Sequence, residues 1–330
     1  MTKIRPRNLC ALLVLVTIVL CALPAISHLA GYSKSSTGVP VRNHWPAGFP
    51  IQWNLNPKTG NNIQGSRNAV QVIQASFQTW LQAPNAALNA SRGPDDPSVT
   101  SGSNSPGKEN VICFVCSADF GGDETLAITF SRIVSAAGAS DGHGGITKFP
   151  GQIIKADIFF NPKVNFTTGG TAGQDMQTVA THEIGHLFGL DHSGIVRAVM
   201  FPFAPSSLQT LSYDDVAGIS ALYPRTPADV PGGVITGTVR MANTAAPVFG
   251  AHVYANSATT ADPFAGRNIR KTPIGTLTMP DGSYRIEGVP ADSYTVIVEP
   301  LDLPVTADDV PDYGDAFGRT PQTNFTTRWR

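Results

Sequence analysis

Three histidines near the middle of the chain have the spacing of a metal site. His182 and His186 lie four positions apart, so on an α-helix both imidazoles would point to one place and could share one ion. Gly189 can adopt the positive φ that ends a helix, which lets the chain turn and bring back His192 as a third ligand. Three nitrogen ligands leave one tetrahedral position of zinc for water, an arrangement typical of a catalytic site.

The glutamate after the first histidine could supply the base that such a site needs. Glu183 would lie beside the open position of the metal, close enough to accept a proton from bound water, and it is not a ligand in this interpretation. Zinc lowers the pKa of its water to about 7, and the hydroxide would attack a peptide carbonyl that the metal polarises. The alternative is a helix whose histidines are merely hydrogen-bonded or exposed. The added glycine and third histidine at fixed offsets favour the metal site.

The apolar residues around the motif predict that the metal faces a cleft. Ala180, Ile184, Leu187 and Phe188 form a stripe roughly opposite the two helical histidines, so the helix should bury this stripe against the core. Met200 follows shortly after the third histidine. Alone, such a methionine most often packs in a core, but after this motif it indicates a turn that forms an apolar floor beneath the imidazoles.

The elements ahead of the motif predict a sheet with a helix packed on it. Residues 50–55 alternate as in a strand, and apolar side chains recur at helical spacing over residues 70–81. Two further strands are predicted at residues 126–130 and 153–160, and the second leads toward the motif helix. Residues 83–108 are rich in Pro, Gly, Ser and Asn without apolar periodicity, so we expect a long exposed loop there.

The C-terminal third of the chain has a different pattern. After Tyr223 the sequence becomes rich in proline and glycine, which cannot continue a helix and which mark a domain boundary. Beyond this joint only short strands and turns are indicated, and such a pattern predicts an all-β sandwich. The strands are expected at residues 234–240, 251–255, 275–278, 283–286 and 294–299.

The N-terminus has the layout of a secretory signal peptide. Basic residues precede an apolar run over residues 9–23, and small residues follow at Ala25 and Ser27, so residues 1–27 are predicted to be removed on export. The alternative is a membrane anchor, but the run is shorter than the roughly 20 apolar residues that span a bilayer. We therefore expect a secreted, extracellular protein without stable membrane insertion after signal cleavage.

Charge and cysteine content narrow the classes of partner. The chain has 23 Lys and Arg against 24 Asp and Glu, so its net charge produces no positive electrostatic field that would attract nucleic acid or an anionic membrane. Outside the predicted signal only Cys113 and Cys116 remain. They favour a local disulfide after export, since a zinc site of this spacing would need a second pair of cysteines.

The long zinc motif together with Met200 resembles the metzincins, and further details resemble their matrixin branch. These details are Ser193 directly after the third histidine and the closing residues 211–223. The likeness spans about Trp45 to Tyr223, and it implies an α+β catalytic domain at residues 45–224 after a spacer at 28–44. The implied fold is a twisted mixed five-stranded sheet with three helices. The implied cleft binds an extended peptide beside an edge strand.

The resemblance also implies a substrate pocket, and it has departures. Pro202 and Phe203 would wall the pocket, with Phe203 in place of an expected tyrosine. We expect one catalytic zinc ion and no second, structural zinc, because His143 is the only histidine available for it ahead of the motif. Calcium could bind through carboxylate and amide side chains, although exposed turn carboxylates are the simpler interpretation. The candidate calcium residues are Asp141, Asp157 and Asn161.

The C-terminal region resembles the carboxypeptidase regulatory-like domain, a transthyretin-like sandwich. The resemblance covers residues 233–305, after a linker at 225–232 and before a C-terminal tail at 306–330. Asp281-Gly282 is a natural turn there, and the alternation around it fits a half-buried sheet.

These observations predict a secreted zinc metalloendopeptidase that acts on peptide or protein substrates. The alternative from another class is a secreted binding or adhesion protein whose metallopeptidase fold has lost activity. The presence of Glu183 and all three histidines favours the enzyme. Protein-bound zinc together with chelator-sensitive cleavage of casein would discriminate between the two hypotheses.

Overall fold

The structure of the protein is a computed structural model that describes residues 30–100, 110–122, 124–142, 144–170, 172–203 and 207–329. The predicted signal peptide and His143 lie outside the described residues. The strands in chain order are β1 (Tyr32–Lys34), β2 (Pro40–Arg42), β3 (Ile51–Leu55), β4 (Ile63–Gln64), β5 (Ala90–Arg92), β6 (Asn110–Cys113), β7 (Ala127–Ile133), β8 (Ile153–Phe160), β9 (Phe166–Thr167), β10 (Gln174–Asp175), β11 (Gly232–Thr238), β12 (His252–Ser257), β13 (Ile274–Leu277), β14 (Ser283–Pro290), β15 (Tyr294–Glu299) and β16 (Arg328–Trp329).

The helices complete a mixed α/β architecture. The α-helices are α1 (Ala69–Leu81), α2 (Met176–Leu187), α3 (Tyr213–Leu222) and α4 (Pro311–Phe317), and a short 3-10 helix covers Ala307–Asp309. None of the helices in the described part of the chain combines the length and the apolar character that crossing a membrane would require.

The largest sheet has five strands in the order β5-β3-β6-β8-β7. Four of them are parallel, and β7 runs antiparallel to β8 at one edge, so the sheet is mixed as expected. Helices α1 and α2 pack against each other, and α2 also packs against β7 and β8. The rings of Trp53 on β3 and Phe77 on α1 stack with centroids 4.4 Å apart, which fixes α1 to the sheet.

The expectation of one exposed loop over residues 83–108 is wrong in part. β5 lies within it and pairs in parallel with β3. Ala83, Ala86 and Val99 are also buried. The strand has only 3 residues and lies at the edge of the sheet, and its polar side chains give no apolar period, so the pattern could not reveal it. The central strand β6 was likewise not predicted; it ends at Cys113, which forms a disulfide with Cys116.

Helix α2, which carries the motif, has clear signals at both ends. Asp175 is its N-cap and accepts a 2.7 Å hydrogen bond from the backbone N–H of Thr178. At the other end Gly189 has φ 96°, and a Cβ there would lie 2.2 Å from the carbonyl oxygen of Asn43. Only glycine fits this turn, because both the backbone conformation and the close approach exclude a side chain.

The strands beyond Gly232 form two antiparallel sheets. One consists of β11 and β14, and the other has the order β13-β12-β15-β16. Helix α3 packs against β13 and β14, which brings this region directly against the part of the chain that carries the motif. The chain then returns through the 3-10 helix and α4, and α4 packs against β1 near the N-terminal end of the described residues.

Candidate metal centre

The structure brings the three motif histidines to one point. One ligand atom from each of His182, His186 and His192 lies within 4.8 Å of the others. The Nε2 atoms of His182 and His186 are 3.1 Å apart. Among the residues that the structure describes, these three histidines form the one cluster of three or more His, Cys, Asp or Glu side chains that could hold a metal ion. Two members come from α2, and the third returns after the turn at Gly189.

Each of the three imidazoles has its Nδ1 atom engaged by a backbone carbonyl. The partners are Val199 for His182 and Leu190 for His186, both at 2.8 Å, and Asp309 for His192 at 2.5 Å. A carbonyl oxygen can only accept, so Nδ1 must carry the proton in each ring. The unprotonated Nε2 atoms are thereby left for a metal, and the ring orientations are fixed.

Burial keeps these imidazoles neutral. It lowers the pKa of His182 to about 3 and lowers the pKa values of His186 and His192, with the neighbouring histidines lowering the first two further. For His192 the carbonyl and the charge of Asp309 act in the opposite direction. Neutral imidazole is the form that binds zinc, so the three nitrogen donors fit this ion without a proton having to leave.

Glu183 lies beside the histidines and is almost fully buried, with 5% of its surface exposed. The hydroxyl of Thr129 on β7 donates a 2.6 Å hydrogen bond to its Oε2 atom. Burial raises the pKa of Glu183 to about 7, and the bond from Thr129 acts against this rise. A carboxyl with this pKa could take up and release a proton near neutral pH.

Met200 packs beneath α2. A Cβ built on Gly185 would lie 2.2 Å from the Met200 Sδ atom, so the thioether packs directly against the backbone of α2 at Gly185. Asp215 on α3 accepts hydrogen bonds from the backbone N–H groups of Val199 and Met200. Because the carbonyl of Val199 also holds His182, Asp215 connects α3 to the metal centre through this turn.

A cleft of about 990 Å³ opens at the metal centre. It extends along α2, from Thr178 in the first turn to Leu190 beyond the last turn, and most residues of β7 also line it. Pro202 and Phe203 also line the cleft, and Phe203 is 50% exposed. The sequence motif therefore faces a cleft and not the core.

The residues considered for calcium have other contacts. Asp157 accepts a hydrogen bond from the backbone N–H of Val111 and pairs with Lys155 at 3.2 Å. Asn161 Oδ1 accepts from the Lys163 N–H group, and Asp141 Oδ1 accepts from the Gly145 N–H group. These contacts stabilise turns and strand ends of the described chain.

Three residues that sequence reasoning did not single out contribute to the centre: Thr129, Asp215 and Asp309. Thr129 lies in a predicted strand, but nothing in the pattern marks its contact with Glu183. Asp215 follows Ser212 with the spacing of a capping box, and the structure forms that box, so this signal was available. No local signal could have indicated Asp309, because its contact with His192 spans 117 positions of the chain.

Comparison with known proteins gives a consistent result for the same segment. Residues 113–224 match the sequence pattern of the family described as Matrixin. The chain is 40% identical over 97 residues to stromelysin-3 of Xenopus laevis, which covers 28% of this chain and 20% of that protein. It is 40% identical over 92 residues to macrophage metalloelastase of Oryctolagus cuniculus, covering 26% and 20%. It is 47% identical over 55 residues to metalloendoproteinase 1 of Glycine max, covering 16% and 18%.

The chain thus spans about a fifth of the length of these curated relatives. The matched segment contains all three histidines, Glu183 and Met200. This segment and its site are therefore matrixin-like, which confirms the matrixin part of the expected resemblance for residues 113–224.

Proposed function

We propose that this protein is a secreted zinc-dependent endopeptidase. The observation that carries the proposal is the convergence of three imidazoles on one point in an open cleft. Each imidazole donates its Nδ1–H group to a backbone carbonyl and leaves its Nε2 atom for a metal. The match to the matrixin family and the similarity to stromelysin-3 and macrophage metalloelastase support the same activity.

In this proposal His182, His186 and His192 hold a single zinc ion, and Glu183 is the general base. Bound zinc would supply a water of lowered pKa and a Lewis acid for the substrate carbonyl. Glu183 would accept a proton from the attacking water and would then pass it to the nitrogen of the departing amine. In the metal-free site burial raises the pKa of Glu183 to about 7, and the hydroxyl of Thr129 holds its Oε2 atom by a hydrogen bond.

The substrate is a peptide or protein segment in extended conformation. β7 is an edge strand of the mixed sheet, and its residues line the cleft, so a peptide could pair with its outer edge. Pro202 and Phe203 lie along the same cleft and would contact a substrate side chain beyond the cleaved bond. Met200 supports the metal centre from below and does not contact the substrate.

We further propose the domain organisation and location expected from the sequence. Residues 1–27 are a signal peptide, residues 45–224 are the catalytic domain, and residues 233–305 are a carboxypeptidase regulatory-like sandwich. The disulfide between Cys113 and Cys116 supports export, because such bonds persist in oxidising compartments. The two antiparallel sheets beyond Gly232 support the sandwich.

The test uses the secreted chain without its signal peptide. We expect stoichiometric zinc and casein cleavage that a zinc chelator abolishes and added zinc restores. Glu183→Gln should retain zinc and lose cleavage by several orders of magnitude, whereas the matched control Glu287→Gln, which changes a carboxylate paired with Arg285, should behave as the parent. A parent without zinc, or a Glu183→Gln variant that cleaves as fast as the parent, would show the proposal to be wrong. A zinc-loaded parent that cleaves nothing would favour the inactive binding protein.

A further inference from the structure

The third histidine of the metal centre is held by a segment far outside the matched region. His192 Nδ1 donates to the backbone carbonyl of Asp309, which ends the 3-10 helix. The other two histidines are held by Val199 and Leu190, both within residues 113–224. The metal centre is therefore completed by the segment of the chain that follows β15.

This segment, residues 306–317, is called here the C-terminal clamp. Its turn is shaped by Asp309, whose carboxylate accepts hydrogen bonds from the backbone N–H and the hydroxyl of Thr306 at 2.7 and 2.9 Å. The side chain of Asp309 is thus occupied within the clamp, and its backbone carbonyl is the group that contacts His192. Pro311 and Asp312 of the clamp also line the cleft, so the clamp forms part of the cleft wall.

An aromatic anchor fixes the clamp to the rest of the protein. Tyr313 is 5% exposed, stacks on Phe249 with centroids 5.4 Å apart and meets Tyr32 edge-on at 5.5 Å. Its hydroxyl donates a 3.1 Å hydrogen bond to the carbonyl of Thr278. Tyr32 precedes the matched region, whereas Phe249 lies shortly before β12 and Thr278 directly follows β13. The position of the clamp therefore depends on segments on both sides of the matched region.

We propose that the C-terminal clamp is a positioning element of the metal centre, with the Asp309 carbonyl setting the tautomer and orientation of His192. This inference rests on the proposed function of the site. A segment that inhibits at the metal itself would occupy the Nε2 side of the histidines or the space beside Glu183. The clamp instead contacts His192 at Nδ1 and leaves Nε2 for the metal, so it supports the ligand.

The test measures zinc affinity by chelator competition and the absorption spectrum of the cobalt-substituted protein. Asp309→Ala removes the bonds that shape the turn, and Tyr313→Ala removes the anchor. Each should weaken zinc binding by about 10- to 100-fold, the usual effect of losing a partner of a ligating histidine, and should alter the cobalt spectrum. Asp309→Asn and Tyr313→Phe retain most of these contacts and should restore parental values. The control is Asp308→Ala, which changes an exposed neighbour in the same 3-10 helix.

A second variant, ending at Val305, removes the clamp together with the residues that follow it, including β16. If circular dichroism shows that this variant folds, it should bind zinc weakly. Its kcat should fall by a larger factor than its KM rises. Parental zinc affinity and cobalt spectrum in this shortened chain would overturn the proposal, and so would faster cleavage, which would indicate inhibition. If the shortened chain does not fold, the paired point variants decide, and equal zinc affinity in Asp309→Ala and Asp309→Asn would overturn the proposal. Zinc affinity is measured without substrate, so failure of the proposed peptidase activity is distinguishable.

Discussion

The hydroxyl of Ser193 donates a 2.5 Å hydrogen bond to the carboxylate of Asp214. Ser193 follows the third histidine directly, and Asp214 lies in the first turn of α3. The second oxygen of Asp214 accepts a 2.8 Å hydrogen bond from the backbone N–H of Gly275 on β13. One buried carboxylate therefore joins the metal-binding loop, the last helix of the matched segment and the C-terminal sheet.

This carboxylate predicts a pH dependence of stability in the metal-free protein. Burial raises the pKa of Asp214 to about 7 from its ordinary value of 3.8. Between these two pH values the folded state keeps a proton that the unfolded state has released, so the free energy of unfolding falls as the pH rises through this window. Asp214→Asn cannot ionise, and its amide can still contact both partners, so its stability should fall less steeply.

Urea unfolding of both proteins over this pH range, with a chelator present, measures the difference in slope. Asp262→Asn, which alters a surface carboxylate bonded to Tyr213, is the control and should keep the parental slope. Identical slopes for the parent and Asp214→Asn would contradict the assignment.

Thr129→Val should move the acid limb of the kcat/KM profile. The lost hydroxyl stabilises the ionised form of Glu183, so its removal raises the pKa of that carboxyl. The base must be ionised to accept a proton, so the acid limb should move to higher pH. We expect a shift of about one pH unit, because this is the size of the free energy that a hydrogen bond to a charged group contributes. Thr129→Ser keeps the hydroxyl and should retain the parental profile. An unshifted limb in the valine variant would separate Thr129 from the function of Glu183.

Gly185→Ala should destabilise the protein even though alanine favours helices. The helix propensity gain is about 1 kcal/mol. The added Cβ would lie 2.2 Å from the Met200 Sδ atom and 2.9 Å from Cζ2 of the fully buried Trp80, and the ring has no space to move. Overpacking of this kind costs about 1–3 kcal/mol and should outweigh the gain. Thermal unfolding of the metal-free protein measures it, with Gly122→Ala as control because nothing lies within 4 Å of a Cβ there. A melting temperature equal to or above that of the parent would contradict this packing.

The sequence was most informative where chemistry and periodicity coincide. The helical spacing of the two histidines and the need for a turn at Gly189 predict α2 and its C-terminal end, and the apolar run of β8 predicts that strand over its observed length. β5 was missed because a three-residue edge strand with polar side chains carries too little period to stand out from a polar loop. β6 begins the short apolar run of residues 111–115, which is consistent with a buried strand, so for β6 a signal was available.

The contacts that complete the site could not be inferred in this way. The carbonyl of Asp309 contacts His192 across 117 positions of sequence. The carboxylate of Asp214 contacts Gly275 across 61 positions. Such contacts depend on how α3, the C-terminal sheets and the clamp pack together. Local propensity contains no information on that packing.

X-ray absorption spectroscopy at the zinc edge of the metal-loaded protein tests the central claim most directly. We predict a first shell of four nitrogen or oxygen atoms at about 2.0–2.1 Å, with outer-shell scattering from three imidazole rings. His192→Ala should lose one ring from that signal. A sulfur scatterer, a six-oxygen shell or an unchanged spectrum in His192→Ala would contradict a centre made of His182, His186 and His192.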